Sequence, residues 1–135
     1  MARYLDSSNV RSGGPQLGWQ VSSRLGHPLI YVRGEFDHET ADILHGAIDE
    51  ELTDDVQVLL LDFSELTYMD SGGLSLMFET VQRFKEPGWL GVVAANPGVS
   101  RLMEITGLAD HPRFRLIADL RAACAALGEL DQSCL

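Results

Sequence analysis

The feature that most constrains the fold is a nearly continuous apolar run at residues 56–61, Val-Gln-Val-Leu-Leu-Leu. A strand buried on one face alternates apolar and polar residues, whereas a continuous run is typical of a central strand in a largely parallel sheet. Residues 89–95 form a second run of this kind. Because parallel strands are joined by crossovers of a dozen or more residues, the segments between such runs are predicted to be helices.

Helical patterns occupy those segments. Helix starts are predicted at Thr40 or Asp37, Ser71, Asn96 and Asp119, since such residues cap helices well. The second helix should extend over residues 71–85, and the third should turn Ile105 inward with its other apolar residues. Residues 62–70 are predicted to be a loop.

Two further strands precede the first helix, near residues 19–23 and 29–34, and the Gly-His-Pro turn between them indicates a hairpin. The predicted fold class is therefore α/β. It has a small mixed, mostly parallel sheet with an N-terminal antiparallel edge strand, and about four helices packed mainly on one face. Residues 17–127 should form this one domain, between a flexible lead-in (1–16) and a C-terminal tail (128–135).

The formal net charge of −10 disfavours nucleic acid and anionic membranes as partners. No run of 18 apolar residues occurs and no apolar signal segment opens the chain, so a cytoplasmic protein is expected. Cys124 and Cys134 are too few for a disulfide framework, and Cys124 is predicted to be a small buried core residue.

Residues 67–74, Thr-Tyr-Met-Asp-Ser-Gly-Gly-Leu, join a buried strand to a helix. Asp70 and Ser71 are both good N-caps, and two glycines at a helix start permit a close approach by another backbone or a ligand. Local chemistry alone predicts only a capped helix after a tight turn.

Two other segments give this turn a wider context. Residues 34–41 are Gly-Glu-Phe-Asp-His-Glu-Thr-Ala, and residues 96–108 are Asn-Pro-Gly-Val-Ser-Arg-Leu-Met-Glu-Ile-Thr-Gly-Leu. Together with the Asp-Ser-Gly-Gly-Leu turn, in this order, they resemble the STAS family over about residues 17–127, and within it the anti-sigma factor antagonists.

The resemblance implies a small mixed sheet with packed helices and a binding module rather than an enzyme, without a cofactor. It implies that Ser71 is phosphorylated by a partner kinase of the GHKL type, which is also an anti-sigma factor. The unphosphorylated form would bind that kinase and free a sigma factor, and a PP2C-type phosphatase would reverse the mark. The protein would be a monomer or weak dimer.

The partner-binding face implied by the resemblance is small. It comprises Asp37, Asp70, Ser71, Gly72, Gly73 and Ser75. Many family members have Ser or Thr where this chain has Gly72, and the substitution is expected to loosen the turn and to remove a hydroxyl. A phosphate adds about −1.5 to −2 charge, which a helix N-terminus tolerates, so its effect is expected at the interface and not on folding.

Other functions have weaker support. The main alternative is a non-switching STAS subunit of a scaffold or lipid-transport complex. A hydrolase nucleophile elbow needs a glycine two residues before its serine, and this chain has Met69 at that position. No nucleotide-binding glycine motif occurs. A weak zinc site on one helical face is the remaining possibility, formed by His38, Asp42, His45 and Asp49.

Overall fold

The computed structural model describes residues 11–12 and 16–128. The strands are β1 (Arg11–Ser12), β2 (Leu17–Arg24), β3 (His27–Phe36), β4 (Val58–Met69), β5 (Trp89–Val93) and β6 (Phe114–Ile117). The helices are α1 (Ala41–Glu51), α2 (Ser71–Val81), α3 (Pro97–Ile105) and α4 (Leu120–Ala126), with a 3-10 turn at Leu108–Asp110. Within these described ranges no helix is long and apolar enough to cross a membrane.

The strands form one sheet in which spatial order follows chain order, β1-β2-β3-β4-β5-β6. The first three strands are antiparallel and β3 to β6 are parallel. This confirms the predicted fold class, with one short strand added at the edge. Arg11–Ser12 belongs to the expected flexible lead-in but pairs with Gly18 and Trp19, while the rest of residues 1–15 and the tail beyond Gly128 lie outside the described residues.

The core has two parts, one on each face of the sheet. Since crossovers between parallel strands share one hand and the strand order never reverses, successive helices fall on the same face. Leu44 of α1, Met77 of α2 and Met103 of α3 all lie in the larger apolar cluster. Leu120 of α4 packs in the smaller cluster on the opposite face. Three of the four helices therefore share a face, as predicted.

The loop predicted at residues 62–70 is wrong, because β4 continues as a strand to Met69. Its second half pairs with β3 through register shifts after Tyr31 and after Gly34, and these break the two-residue alternation that marks a strand in sequence. Leu66 and Met69 remain buried while the residues between them are exposed. The extension brings the end of β4 level with the end of β3.

Smaller differences concern the helices. The helix predicted over residues 71–85 ends at Val81. Ile105, predicted to point inward, is 68% exposed, because it is the last residue of α3 and lies beyond the stripe that faces the sheet. Cys124 is buried as predicted, but it is disulfide-bonded, and its partner lies outside the described residues.

Candidate functional site

The carboxyl ends of β3 and β4 bring Asp37 and Asp70 to the same edge of the sheet. Phe36 is the register partner of Met69, so the residues that follow them leave the sheet side by side. The backbone N–H of Asp70 donates a hydrogen bond to the Phe36 carbonyl over 3.3 Å. The register therefore holds the start of the β3–α1 loop and the start of α2 side by side.

Asp70 is the N-cap of α2. Its Oδ1 atom accepts hydrogen bonds from the backbone N–H of Gly72 over 2.8 Å and of Gly73 over 3.4 Å. Partial burial raises the pKa of the Asp70 carboxyl, but the bonds from Gly72, His38 and Gly73 outweigh it, and the net pKa is lowered. Asp70 is therefore a carboxylate held in place at the helix start.

Ser71 is the first residue of α2, and it is exposed. Its hydroxyl has no hydrogen-bond partner among the described residues. Ser75 lies one helical turn later and is also exposed. The two serines thus share an outward face of α2, and Ser71 presents a free hydroxyl beside the capping carboxylate.

The two glycines allow α2 to start against the β3–α1 loop. A Cβ atom on Gly73 would lie 2.6 Å from the Phe36 carbonyl oxygen, and one on Gly72 would lie 2.4 Å from His38 Cα. Both distances are shorter than side chains tolerate, and both involve backbone atoms that cannot swing away. The expectation that Gly72 loosens the turn is therefore wrong, since its missing Cβ lets two chain segments pack in contact.

Asp37 caps the turn that leads into α1. Its Oδ1 accepts from the backbone N–H groups of Glu39 and Thr40, over 2.9 and 3.0 Å. The Thr40 hydroxyl accepts from the Asp37 N–H over 2.9 Å and donates to the Glu35 carbonyl over 3.0 Å. Of the two candidate caps, Asp37 makes the side-chain capping bonds, and Thr40, which is buried, completes a reciprocal pair.

His38 is a site residue that sequence reasoning placed elsewhere. It precedes α1, and its Nδ1 lies 3.4 Å from Asp70 Oδ2. His45 instead pairs with Asp49 within α1, over 3.5 Å. The helical face proposed for zinc therefore does not form, and within residues 16–128 no three or more His, Cys, Asp or Glu side chains cluster as metal ligands.

Tyr68 is a second residue that the motifs did not single out. It lies three residues before Ser71, and the residue is about half exposed, at 49%. Tyrosine is among the residue types that most often contribute large binding energies to protein interfaces. Because residues 62–70 were predicted to be a loop, the position of Tyr68 near the end of β4 was not recognised.

A model of the STAS domain matches residues 19–123. The chain belongs to the STAS domain family. This STAS domain is 29% identical over 114 residues to the anti-sigma-F factor antagonist RsfB of Mycobacterium tuberculosis, a match that covers 83% of this chain and 92% of RsfB.

Two solved structures are similar to this STAS domain. The crystal structure of an anti-sigma factor antagonist from Mycobacterium paratuberculosis has 28% sequence identity and a TM-score of 0.76, and the match covers 88% of this chain and all of that one (100%). The anti-sigma factor antagonist SpoIIAA in its unphosphorylated form has 20% identity and a TM-score of 0.67, over 84% and 99% of the two chains. The second match concerns the fold alone.

Proposed function

We propose that this STAS domain is an anti-sigma factor antagonist that is switched by phosphorylation of Ser71. The unphosphorylated form binds an anti-sigma factor and thereby releases a sigma factor. The observation that carries the proposal is the position of Ser71, whose exposed hydroxyl opens α2 directly after the capping Asp70. The similarity of this chain to proteins named as anti-sigma factor antagonists supports the same role.

The proposed partner face consists of the two loop ends and the first turns of α2. It includes Asp37, Asp70, Ser71, Gly72, Gly73 and Ser75. The glycines let the β3–α1 loop pack directly against the start of α2, so the two loop ends form one continuous surface around the exposed Ser71. Since Asp37 and Asp70 are carboxylates, a basic surface on the anti-sigma factor would complement this face.

Phosphorylation would act on that interface and leave the fold intact. The kinase would transfer the γ-phosphoryl group of ATP to Ser71 Oγ, with release of ADP and of the hydroxyl proton. The dipole of α2 favours a negative charge at its N-terminus, where Asp70 already caps the Gly72 and Gly73 N–H groups. A partner shaped to a small hydroxyl would meet a bulky dianion, and loss of a buried contact of this kind costs about 2 to 5 kcal/mol of binding.

Calorimetry with the anti-sigma factor tests the switch directly. Ser71→Ala should bind like the native protein, whereas Ser71→Glu should bind at least about 30-fold more weakly, the lower end of that energy range. Ser23→Glu is the matched control, because Ser23 is exposed on β2 opposite Pro28, at the other end of the sheet. Equal affinity of the Ser71→Ala and Ser71→Glu proteins would contradict the proposal.

The proposed partners are a GHKL-type serine kinase that is itself the anti-sigma factor and a PP2C-type phosphatase, and the proposed location is the cytoplasm. Incubation with that kinase and ATP, followed by mass spectrometry, should map one phosphate to Ser71, and the phosphatase should remove it. Phosphate on another residue would contradict the assignment of Ser71, and phosphate on none would favour the non-switching subunit of a scaffold or lipid-transport complex. No enzymatic step is proposed for this chain, which is the substrate of the reaction.

A further inference from the structure

His38 contacts the residues on both sides of Ser71. Its ring Nδ1 lies 3.4 Å from Oδ2 of Asp70, the residue before Ser71. Its backbone and Cβ fill the space where a side chain on Gly72 would stand, with distances of 2.4 to 2.5 Å to an ideal Cβ at that position. The imidazole, with 75% of its side chain exposed, therefore lies beside the turn that carries Ser71 and is free to reorient.

The charges around Ser71 make His38 distinctive. In residues 35–42 and 67–79, which form the two loop ends and most of α2, His38 is the one side chain that can become positive. The carboxylic acids in these segments are Glu35, Asp37, Glu39, Asp42, Asp70 and Glu79. A phosphate on Ser71 would join several acidic side chains in these two segments, whose one basic side chain is His38.

We propose that His38, in its protonated form, is the residue that pairs with the phosphate on Ser71 and that it leaves Asp70 to do so. This inference rests on the proposed function, because it assigns a role within the same modification site. His38 acts as a positioning and charge-compensating residue, and it takes no part in phosphoryl transfer.

The two oxygens of Asp70 make such an exchange possible without loss of structure. Oδ1 accepts the capping bonds from Gly72 and Gly73, whereas Oδ2 faces His38. His38 can therefore move from Asp70 to the phosphate while α2 stays capped. A phosphoserine carries about −1.5 to −2 charge and three acceptor oxygens, against one charge on a carboxylate, so the phosphate competes well for the imidazole.

The test places phosphoserine at position 71 by genetic encoding and follows its second ionisation by 31P NMR as a function of pH. A nearby cation stabilises the dianion, so the titration midpoint in the native background should lie about 0.5 pH unit below that in His38→Asn. His38→Arg should retain the low midpoint because it retains the charge. His45→Asn is the matched control, since His45 is also partly exposed and also pairs with an aspartate, but within α1.

Equal titration midpoints in the native background and in His38→Asn would overturn the proposal. A midpoint in His38→Arg as high as that in His38→Asn would overturn it as well. Circular dichroism of each variant establishes that the fold is kept. Because phosphoserine is incorporated during translation and is not made by a kinase, the result is independent of any kinase or anti-sigma factor. Failure of the proposed function would show separately, as unchanged anti-sigma factor binding by the phosphoserine protein.

Discussion

Gly72 and His38, 34 positions apart in the chain, are packed so closely that a Cβ on Gly72 would lie 2.4 Å from His38 Cα. The obstacle is backbone, so the clash cannot be relieved by rotating a side chain. The β3–α1 loop occupies the space that a Ser or Thr side chain at this position would need. The glycine and the position of the loop are therefore coupled.

Gly72→Ser should consequently destabilise the protein by about 1 to 3 kcal/mol, the usual cost of overpacking a tight contact. Urea denaturation measures the change. Gly46→Ala is the matched control: Gly46 lies in α1, and no atom lies within 4 Å of the place that its Cβ would take. That variant should gain about 0.5 to 1 kcal/mol from helix propensity. A Gly72→Ser protein as stable as the native one would show that the loop yields freely.

Removal of the α2 cap should cost a similar amount. Asp70→Ala deletes the acceptor for the Gly72 and Gly73 N–H groups, and a loss of about 1 kcal/mol is typical for such a change. Asp70→Asn keeps an acceptor oxygen and should lose less. Glu79→Ala, an exposed change on the same helix, should stay within about 0.5 kcal/mol of the native protein by urea denaturation.

The lowered pKa of Asp70 predicts a defined dependence of stability on pH. A carboxyl whose pKa is lower in the folded state stabilises the fold above its unfolded pKa, about 3.9, and this contribution disappears as pH falls through the folded pKa. The free energy of unfolding of the native protein should therefore exceed that of Asp70→Asn at pH 6, and the gap should narrow steadily below pH 4. A gap that stays constant to pH 2.5 would contradict this assignment.

Asp37 should affect partner binding through the shape of its loop. Its side chain accepts from the Glu39 and Thr40 N–H groups, so Asp37→Ala frees the loop that carries His38. We expect about 1 kcal/mol of lost stability and weaker anti-sigma factor binding, and Asp37→Asn should largely restore both. Calorimetry that finds binding lost equally in both variants would show instead that the charge of Asp37 contacts the partner.

Tyr68 should be an anchor of the partner face. Tyr68→Ala is expected to weaken anti-sigma factor binding about tenfold or more, as for exposed aromatic residues that become buried in an interface. Its effect on folding should be small because about half of the residue is already exposed. Ile105→Ala, at the end of α3, removes a more exposed apolar side chain and should leave the affinity unchanged.

The fold was largely predictable because its signals are local. Continuous apolar runs marked β4 and β5, helical spacing and capping residues marked the helices, and uniform crossovers placed three helices on one face. The second half of β4 escaped detection because the register shifts against β3 remove the alternation that identifies a strand. Ile105 was misplaced because apolar spacing alone does not show where a helix ends against its neighbours.

The sequence by itself determined that a small mostly parallel sheet forms, that Asp70 and Ser71 begin a helix, and that the chain carries the three family-like segments around them. Only the tertiary structure decided that Asp37 and not Thr40 makes the capping bonds, that Gly72 tightens its turn, and that His38 faces Asp70. The physical reason is the separation along the chain of the residues that interact. Helix periodicity and caps depend on residues a few positions apart, whereas the site is built from residues more than 30 positions apart that meet through the pairing of Phe36 with Met69.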